Sequence, residues 1–385
     1  MANTAMTQRQ RLLAALRGEP VDQVPVSPDV SMMLPARYTG RPYWDVFVNE
    51  QPPLWQVQID LARRFDFALL QETDTVEGDA PGVTTESKIT PHLRVGAGVE
   101  QTDDAWRVCH TTHTPHGDLT LIKRYPAAQS PWTEKPIITE PEREMDALLS
   151  TLPDPSTLRV HHNYPSLRKM LGDSGIVSTR ISVPLAWWLY QRVDLERAIL
   201  DFYDRTELLE RALHIYGEWA LAVMEAQFRL QPPDLIMFGG SVSSMSVVSP
   251  ALYRRYAYPW LTRACAVAAR HHIPTGVHMC GKSAAALDML VDAGVTMVEP
   301  LERPPGGDVT LAEVRKRYGA RLVLKGNVNT FETLLQGTPD SVRAEARQCI
   351  RDAGAFGFIL ASGDQVPGNT PEENFAALVT AATQP

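Results

Sequence analysis

The sequence Thr275-Gly-Val-His278, followed by an amphipathic stretch at 282–291 and by Thr296-Met-Val-Glu299, indicates the fold class of this chain. Two short runs rich in β-branched and apolar residues flank a stretch with helical periodicity. Gly294 supplies a helix stop just before the second run. A strand, a helix and a strand at this spacing are typical of a βαβ unit, which joins two parallel strands.

The same alternation extends towards both ends of the chain. Further strands are predicted at 24–27, 65–70, 176–182, 234–238, 321–325 and 357–360. Amphipathic stretches at 251–270, 311–318 and 341–352 are predicted helices. Eight parallel strands with intervening helices predict an α/β fold of the (β/α)₈ TIM barrel type, with residues 1–385 as one domain. An open doubly wound sheet is the alternative fold.

The surplus length lies between the second and third predicted strands. Residues 87–126 contain turn-forming sequences at Thr102-Asp-Asp-Ala105 and Thr114-Pro-His-Gly117. This stretch is therefore predicted to be an inserted antiparallel β-meander, and we expect it to cover the mouth of the barrel.

Composition limits the classes of function. The net charge of −8 disfavours binding to nucleic acid or to anionic lipid. The longest apolar run, at 183–190, is too short to span a bilayer. The N-terminus lacks the apolar segment of a signal peptide, and the cysteines are too widely spaced for a disulfide framework. These features predict a soluble, cytoplasmic protein. The cysteines are Cys109, Cys265, Cys280 and Cys349.

The fifth predicted strand ends in a pair of metal-ligating residue types. In a barrel of this kind, reactive groups lie at the carboxyl ends of the strands. His278 and Cys280 are two residues apart, so their side chains are expected on the same side of the strand, and Gly281 allows the chain to turn at once. Imidazole and thiolate are a favourable zinc pair. A buried histidine and a buried cysteine in an ordinary core are the alternative interpretation.

The three following strands also end in polar residues. Glu299 ends the sixth strand, Lys325 and Asn327 end the seventh, and Asp364 follows the eighth. A catalytic zinc site has three protein ligands and one open position, so Glu299 and Asp364 are both candidates for the third ligand. An ordinary polar rim would contain similar residues.

Several segments resemble the uroporphyrinogen decarboxylase superfamily, and they occur in the family's order along nearly the whole chain. They are Gly18-Glu-Pro-Val-Asp-Gln-Val-Pro25, Ser249-Pro250, Leu324-Lys-Gly-Asn327 and Pro367-Gly-Asn-Thr-Pro371-Glu-Glu-Asn374. This superfamily includes the decarboxylase and zinc-dependent cobalamin methyltransferases. The resemblance implies a (β/α)₈ barrel, in agreement with the strand count, and a homodimer.

The methyltransferase branch has a His-x-Cys-Gly motif after the fifth strand and a distant cysteine after the eighth. His278-Met-Cys280-Gly281 is similar to the first motif, whereas the position of the distant cysteine falls at or beside Asp364. The resemblance therefore implies zinc on His278, Cys280 and an acid. Glu299 is the expected third ligand because its strand is adjacent to that of His278. Asp364 is the competing ligand and otherwise the acid/base.

The decarboxylase branch has an arginine pair that binds substrate carboxylates. Arg37 and Arg41 resemble that pair, and Tyr190 follows Pro184 at the family's six-residue spacing. The branch's Leu-Gly-His motif after the eighth strand is replaced by a sequence ending in Asp364. The resemblance thus favours the methyltransferase branch.

We expect an enzyme that moves a methyl group between a small methylated compound and a corrinoid or thiol acceptor, with zinc as cofactor. The corrinoid would be carried by a separate protein. Tyr190, Asn327 and Ser241 are expected to orient the substrate, together with Arg37 and Arg41. A metal-independent decarboxylase or lyase, or a barrel that only binds a ligand, are the alternatives.

Overall fold

The strands form three sheets in the computed structural model, which describes residues 5–96, 99–192, 194–354 and 356–382. Numbered along the chain, the strands are β1 (Leu69–Glu72), β2 (Val76–Glu77), β3 (Thr84–Gly96), β4 (Val99–Thr114), β5 (Gly117–Pro126), β6 (Trp132–Lys135), β7 (Arg159–Val160), β8 (Gly175–Arg180), β9 (Leu235–Gly239), β10 (Thr275–His278), β11 (Met297–Glu299), β12 (Val323–Val328) and β13 (Phe358–Ser362). β1 and β8 to β13 form a parallel sheet of seven strands in that order, β3 to β6 form an antiparallel sheet, and β2 pairs with β7.

The two edges of the parallel sheet approach each other at the segment 25–27. The Ser27 N–H donates to the Leu360 carbonyl of β13 (2.8 Å), and the Ala68 N–H beside β1 donates to the Val26 carbonyl (2.9 Å). Val26 and Leu360 also form a parallel bridge. The sheet is therefore curled, and this α/β arrangement is consistent with the predicted TIM barrel.

Helices precede, separate and follow the parallel strands along the chain. They are α1 (Gln8–Leu16), α2 (Met33–Tyr38), α3 (Tyr43–Phe47), α4 (Leu54–Phe65), α5 (Pro141–Ser150), α6 (Tyr164–Leu171), α7 (Pro184–Gln191), α8 (Leu195–Asp204), α9 (Thr206–Leu230), α10 (Pro250–Tyr256), α11 (Tyr258–Arg270), α12 (Leu287–Ala293), α13 (Leu311–Tyr318), α14 (Pro339–Ala353) and α15 (Glu372–Thr380). The single helix predicted at 251–270 is two helices, because Pro259 has no N–H to continue the helical hydrogen bonds. The strand predicted from residue 65 begins at Leu69, since α4 extends to Phe65.

The interior of the curled sheet is filled by apolar side chains. Ile176, Met237 and Met297, from three different strands, belong to one buried cluster with Leu12 and Leu16 of α1. The first helix therefore covers the amino-terminal end of the sheet, where it packs against β8. A binding cavity is expected at the opposite, carboxyl-terminal end.

The antiparallel sheet lies between β1 and β8 in the sequence. A hairpin turn at Thr114–Gly117 connects β4 to β5, as the turn signal predicts, and the Thr114 hydroxyl donates to the Gly117 carbonyl (2.7 Å). The turn predicted at Thr102–Ala105 is absent, because these residues lie within β4. Thr102 pairs with Leu93 of β3, so ladder hydrogen bonds replace the expected turn.

Gly175 is a packing requirement of the parallel sheet. A Cβ atom added at Gly175 would lie 2.0 Å from the carbonyl oxygen of Leu69, in the neighbouring strand. Because backbone must move to relieve this overlap, Gly175→Ala should lower the free energy of unfolding by about 2 kcal/mol. Urea denaturation measures this change. Ser174→Ala, one residue earlier, is the control, and an equal effect of both substitutions would contradict the prediction.

Candidate metal centre

A cavity of about 760 Å³ opens at the carboxyl ends of the parallel strands. Its charged lining side chains are Asp29, Glu72, Arg180, Glu299, Lys325 and Asp364, together with His278 and Cys280. Among the described residues, none of β3 to β6 lines this cavity. That the insertion covers the cavity mouth therefore stays a prediction.

Strand register places His278 next to Glu299. Both residues end their strands, and they are paired neighbours in the ladder between β10 and β11. After Cys280 the chain turns at Gly281, whose φ of 80° is unfavourable for residues with a side chain. The Gly281 N–H donates to Glu302 Oε1 (2.5 Å), and this hydrogen bond fixes the turn that presents Cys280.

Three donor groups of different chemistry converge in this cavity. His278, Cys280 and Asp364 each offer one ligand atom, and these atoms all lie within 4.8 Å of one another. Nitrogen, sulfur and carboxylate oxygen are the usual zinc donors, and three protein ligands leave the fourth tetrahedral position open. The donor set therefore fits a catalytic zinc ion.

Glu299 lies behind His278 and is held by two partners. Its Oε1 is 3.2 Å from His278 Nδ1, and its Oε2 accepts a hydrogen bond from Lys325 Nζ (2.5 Å). Both Glu299 and Lys325 are buried. The candidate third ligand that the sequence favoured is thus paired with a lysine, whereas Asp364 joins His278 and Cys280.

The protonation states follow from this arrangement. Burial alone would raise the pKa of Glu299, but the charges and hydrogen bonds of Lys325 and His278 outweigh it and lower the pKa. Burial disfavours charged His278, yet its hydrogen bonds to Cys280 and Glu299 raise the pKa of the imidazole to about 10. Binding of a metal at His278 must therefore release a proton. The pKa of Asp364 is raised by burial and by nearby acids.

Two of the expected substrate-orienting residues lie at the cavity and one does not. Tyr190 and Ser241 line it, and Tyr190 is 50% exposed. Asn327 is buried, where its side-chain amide donates to the Leu301 carbonyl (2.6 Å) and its Oδ1 accepts from the Cys349 thiol. The side chain of Asn327 therefore ties β12 to its neighbours and does not line the cavity.

Arg37 and Arg41 lie away from the cavity, contrary to the expectation of a carboxylate clamp. The Arg37 guanidinium donates to the carbonyls of Gly368 (2.7 Å) and Thr370 (3.1 Å), so it secures the C-terminal loop. The Arg41 side chain is exposed and donates to the Gln51 carbonyl (3.3 Å). Neither residue lines the cavity.

An ion pair in the cavity wall is not apparent from the sequence patterns. Arg180, at the end of β8, donates through Nε and Nη2 to the carboxylate of Glu72, at the end of β1. The predicted strand at 176–182 extended past Arg180, so the residue was not recognised as a strand end. Arg180 lies two residues before the predicted end of that strand, and this spacing on one face is the signal that could have indicated it.

A second group of metal-ligating types lies outside the cavity. Glu77, His161 and His162 are close together, and the Glu77 carboxylate also accepts from the Arg159 guanidinium (3.2 Å). His162 Nδ1 is within hydrogen-bonding distance of the Glu77 carboxylate (3.0 Å), and His161 Nδ1 accepts the Asn163 N–H (3.3 Å). Hydrogen bonds therefore explain why these residues lie close together.

Comparison with known proteins identifies the family to which this fold and this site belong. The model of the uroporphyrinogen decarboxylase (URO-D) family matches residues 125–385. The chain therefore belongs to this family. No helix within the described ranges combines the length and apolarity needed to cross a membrane.

The most informative relatives belong to both branches. A methylcobamide:CoM methyltransferase, MtaA, from Methanosarcina barkeri is 33% identical over 177 residues, which cover 46% of this chain and 49% of the relative. A uroporphyrinogen decarboxylase from Parasynechococcus marenigrum is 26% identical over 254 residues, 63% of this chain and 68% of the relative. The chain thus spans about half the length of the methyltransferase that it matches.

A solved structure has the same fold over almost the whole chain. A methyltransferase from Methanosarcina mazei superposes with a TM-score of 0.65 over 98% of this chain and 99% of its own, at 21% identity. This similarity supports the barrel-type α/β fold, including the parts of the chain before residue 125.

Proposed function

We propose that this protein is a zinc-dependent methyltransferase that moves a methyl group between a small methylated compound and a corrinoid or thiol acceptor. The observation that carries the proposal is the donor set of His278, Cys280 and Asp364 in the cavity. Similarity to the methylcobamide methyltransferase supports the same class of reaction. The wall of the cavity lacks Arg37 and Arg41, which weakens the alternative of a decarboxylase.

Asp364, rather than Glu299, is proposed as the third ligand. Glu299 keeps His278 Nδ1 engaged, so the ring would present Nε2 to the metal, and Lys325 holds the Glu299 carboxylate in place. Zinc bound here would act as a Lewis acid towards a substrate oxygen or sulfur. Tyr190 and Ser241 would orient the substrate at the cavity wall.

The corrinoid would be supplied by a separate carrier protein. The cavity opens at the carboxyl ends of the parallel strands. We propose that a carrier protein presents its methyl group at this opening.

The proposal is tested with methylcobalamin and 2-mercaptoethanol as methyl donor and acceptor. Zinc-loaded protein should demethylate methylcobalamin, as followed by its visible absorbance, and protein stripped of metal should not. Re-addition of zinc should restore the rate. Equal rates with and without metal would contradict the proposal.

The assignment of the third ligand makes a separate prediction. Asp364→Asn removes a ligand charge and should weaken zinc binding about 100-fold, whereas Glu299→Gln disturbs only the orientation of His278 and should weaken it about tenfold. Competition with a chromogenic chelator measures both affinities. If Glu299→Gln has the larger effect, Glu299 is the ligand, as the sequence alone suggested.

A further inference from the structure

We infer that the substrate in this cavity has no negative charge and that Asp29 recognises a positively charged group on it. The inference rests on the proposed function, because it assumes that the substrate's sulfur or oxygen is held at the metal donor set. It derives from the pairing of every charged side chain that faces the cavity.

Both permanent cations of the cavity wall are already neutralised. Arg180 makes a two-pronged ion pair with Glu72, with N–O distances of 2.6 to 3.0 Å. Lys325 is buried against Glu299. An anionic substrate would therefore have to compete with a carboxylate for either cation, and in a partly buried site that competition is costly.

One carboxylate of the cavity wall outside the donor set has no such partner. Asp29 lines the cavity, and among the described residues it forms no ion pair; its Oδ1 accepts only the Ser31 N–H (2.9 Å). Glu302, which accepts the Gly281 N–H, does not line the cavity. With zinc neutralised by Cys280 and Asp364, the carboxylate of Asp29 would leave the cavity with a net negative charge.

The position of Asp29 sets the size of the recognised molecule. The Asp29 N–H donates to the hydroxyl oxygen of Ser362 (3.0 Å), which lies two residues before Asp364. Asp29 therefore lies beside the end of β13, and both Asp29 and Asp364 line the cavity. A positive group only a few bonds from the metal-directed sulfur or oxygen would reach Asp29. Trp55 and Tyr190 also line the cavity and offer aromatic faces, which attract cations.

Three small thiols that differ in terminal charge test the inference. They are 2-aminoethanethiol, 2-mercaptoethanol and 3-mercaptopropionate, and their dissociation constants are measured by calorimetry on the zinc-loaded protein. We expect affinity to fall in that order. In Asp29→Asn, the preference for 2-aminoethanethiol over 2-mercaptoethanol should fall about tenfold, because one charge within a few ångströms is lost. The preference is a ratio of two dissociation constants, and comparing this ratio between the variant and the wild type cancels the intrinsic acidities of the thiols.

Asp60→Asn is the matched control, because Asp60 is an exposed acid on α4 that does not line the cavity. The preference should be unchanged in this variant. An unchanged preference in Asp29→Asn, or tighter binding of 3-mercaptopropionate than of 2-mercaptoethanol by the wild type, would overturn the inference. Zinc content is measured in each variant, and loss of zinc from Asp29→Asn would instead make Asp29 a metal ligand and overturn it as well. If no thiol binds the zinc-loaded protein, the proposed function fails and the inference fails with it.

Discussion

His278→Ala should purify without zinc, whereas the wild-type protein should retain about one zinc ion per chain. The imidazole is one of three proposed ligands, and Cys280 and Asp364 alone cannot complete a stable site with an open position. We expect at least a 100-fold loss of zinc affinity. Metal analysis by mass spectrometry after dialysis measures zinc per chain directly.

His271→Ala is the control for this experiment. His271 also bonds to a carboxylate, that of Glu225 (2.9 Å), but it ends α11 on the outside of the sheet. This variant should keep its zinc. Circular dichroism checks that both variants are folded. Retention of stoichiometric zinc by folded His278→Ala would remove the metal centre and the methyltransferase proposal with it.

The adjacency of His278 and Glu299 could be predicted from sequence because it depends only on strand order and register. Both residues end short parallel strands, and parallel strand ends meet at one edge of a sheet. The choice between Glu299 and Asp364 could not be predicted in this way. It depends on the directions of the side chains and on Lys325, whose ammonium group donates a hydrogen bond to the Glu299 carboxylate.

The substrate-binding residues show the same limit of sequence reasoning. Asn327 ends a barrel strand, yet its amide hydrogen-bonds to Leu301 inside the protein and does not reach the cavity. Arg37 follows the first predicted strand, yet it binds carbonyls of the C-terminal loop. Residue type and strand position were informative in both cases. Local hydrogen bonds to backbone groups, which sequence patterns do not reveal, determined where these side chains point.

Lys325→Met should lower the free energy of unfolding of the metal-free protein by about 3 kcal/mol. Lys325 Nζ is the cation that compensates the buried carboxylate of Glu299, and both side chains are less than a tenth exposed. Without the ammonium group, that carboxylate keeps only His278 as a partner. Urea denaturation of metal-free protein measures the change. Arg317→Met is the control, because its ion pair with Asp288 is exposed and should contribute less than about 1 kcal/mol.

The double variant Glu299→Gln/Lys325→Met separates loss of charge compensation from loss of packing. The cost of a broken buried pair comes mainly from the charge that remains, so removing both charges should restore much of the stability lost in Lys325→Met. A double variant as unstable as the single one would mean that the lysine stabilises the strand ends by packing. If the double variant regains stability but binds zinc more weakly, the effect of the pair on folding is separate from its effect on zinc binding. The charges of Glu299 and Lys325 would then be dispensable for folding, and their role would be to orient His278.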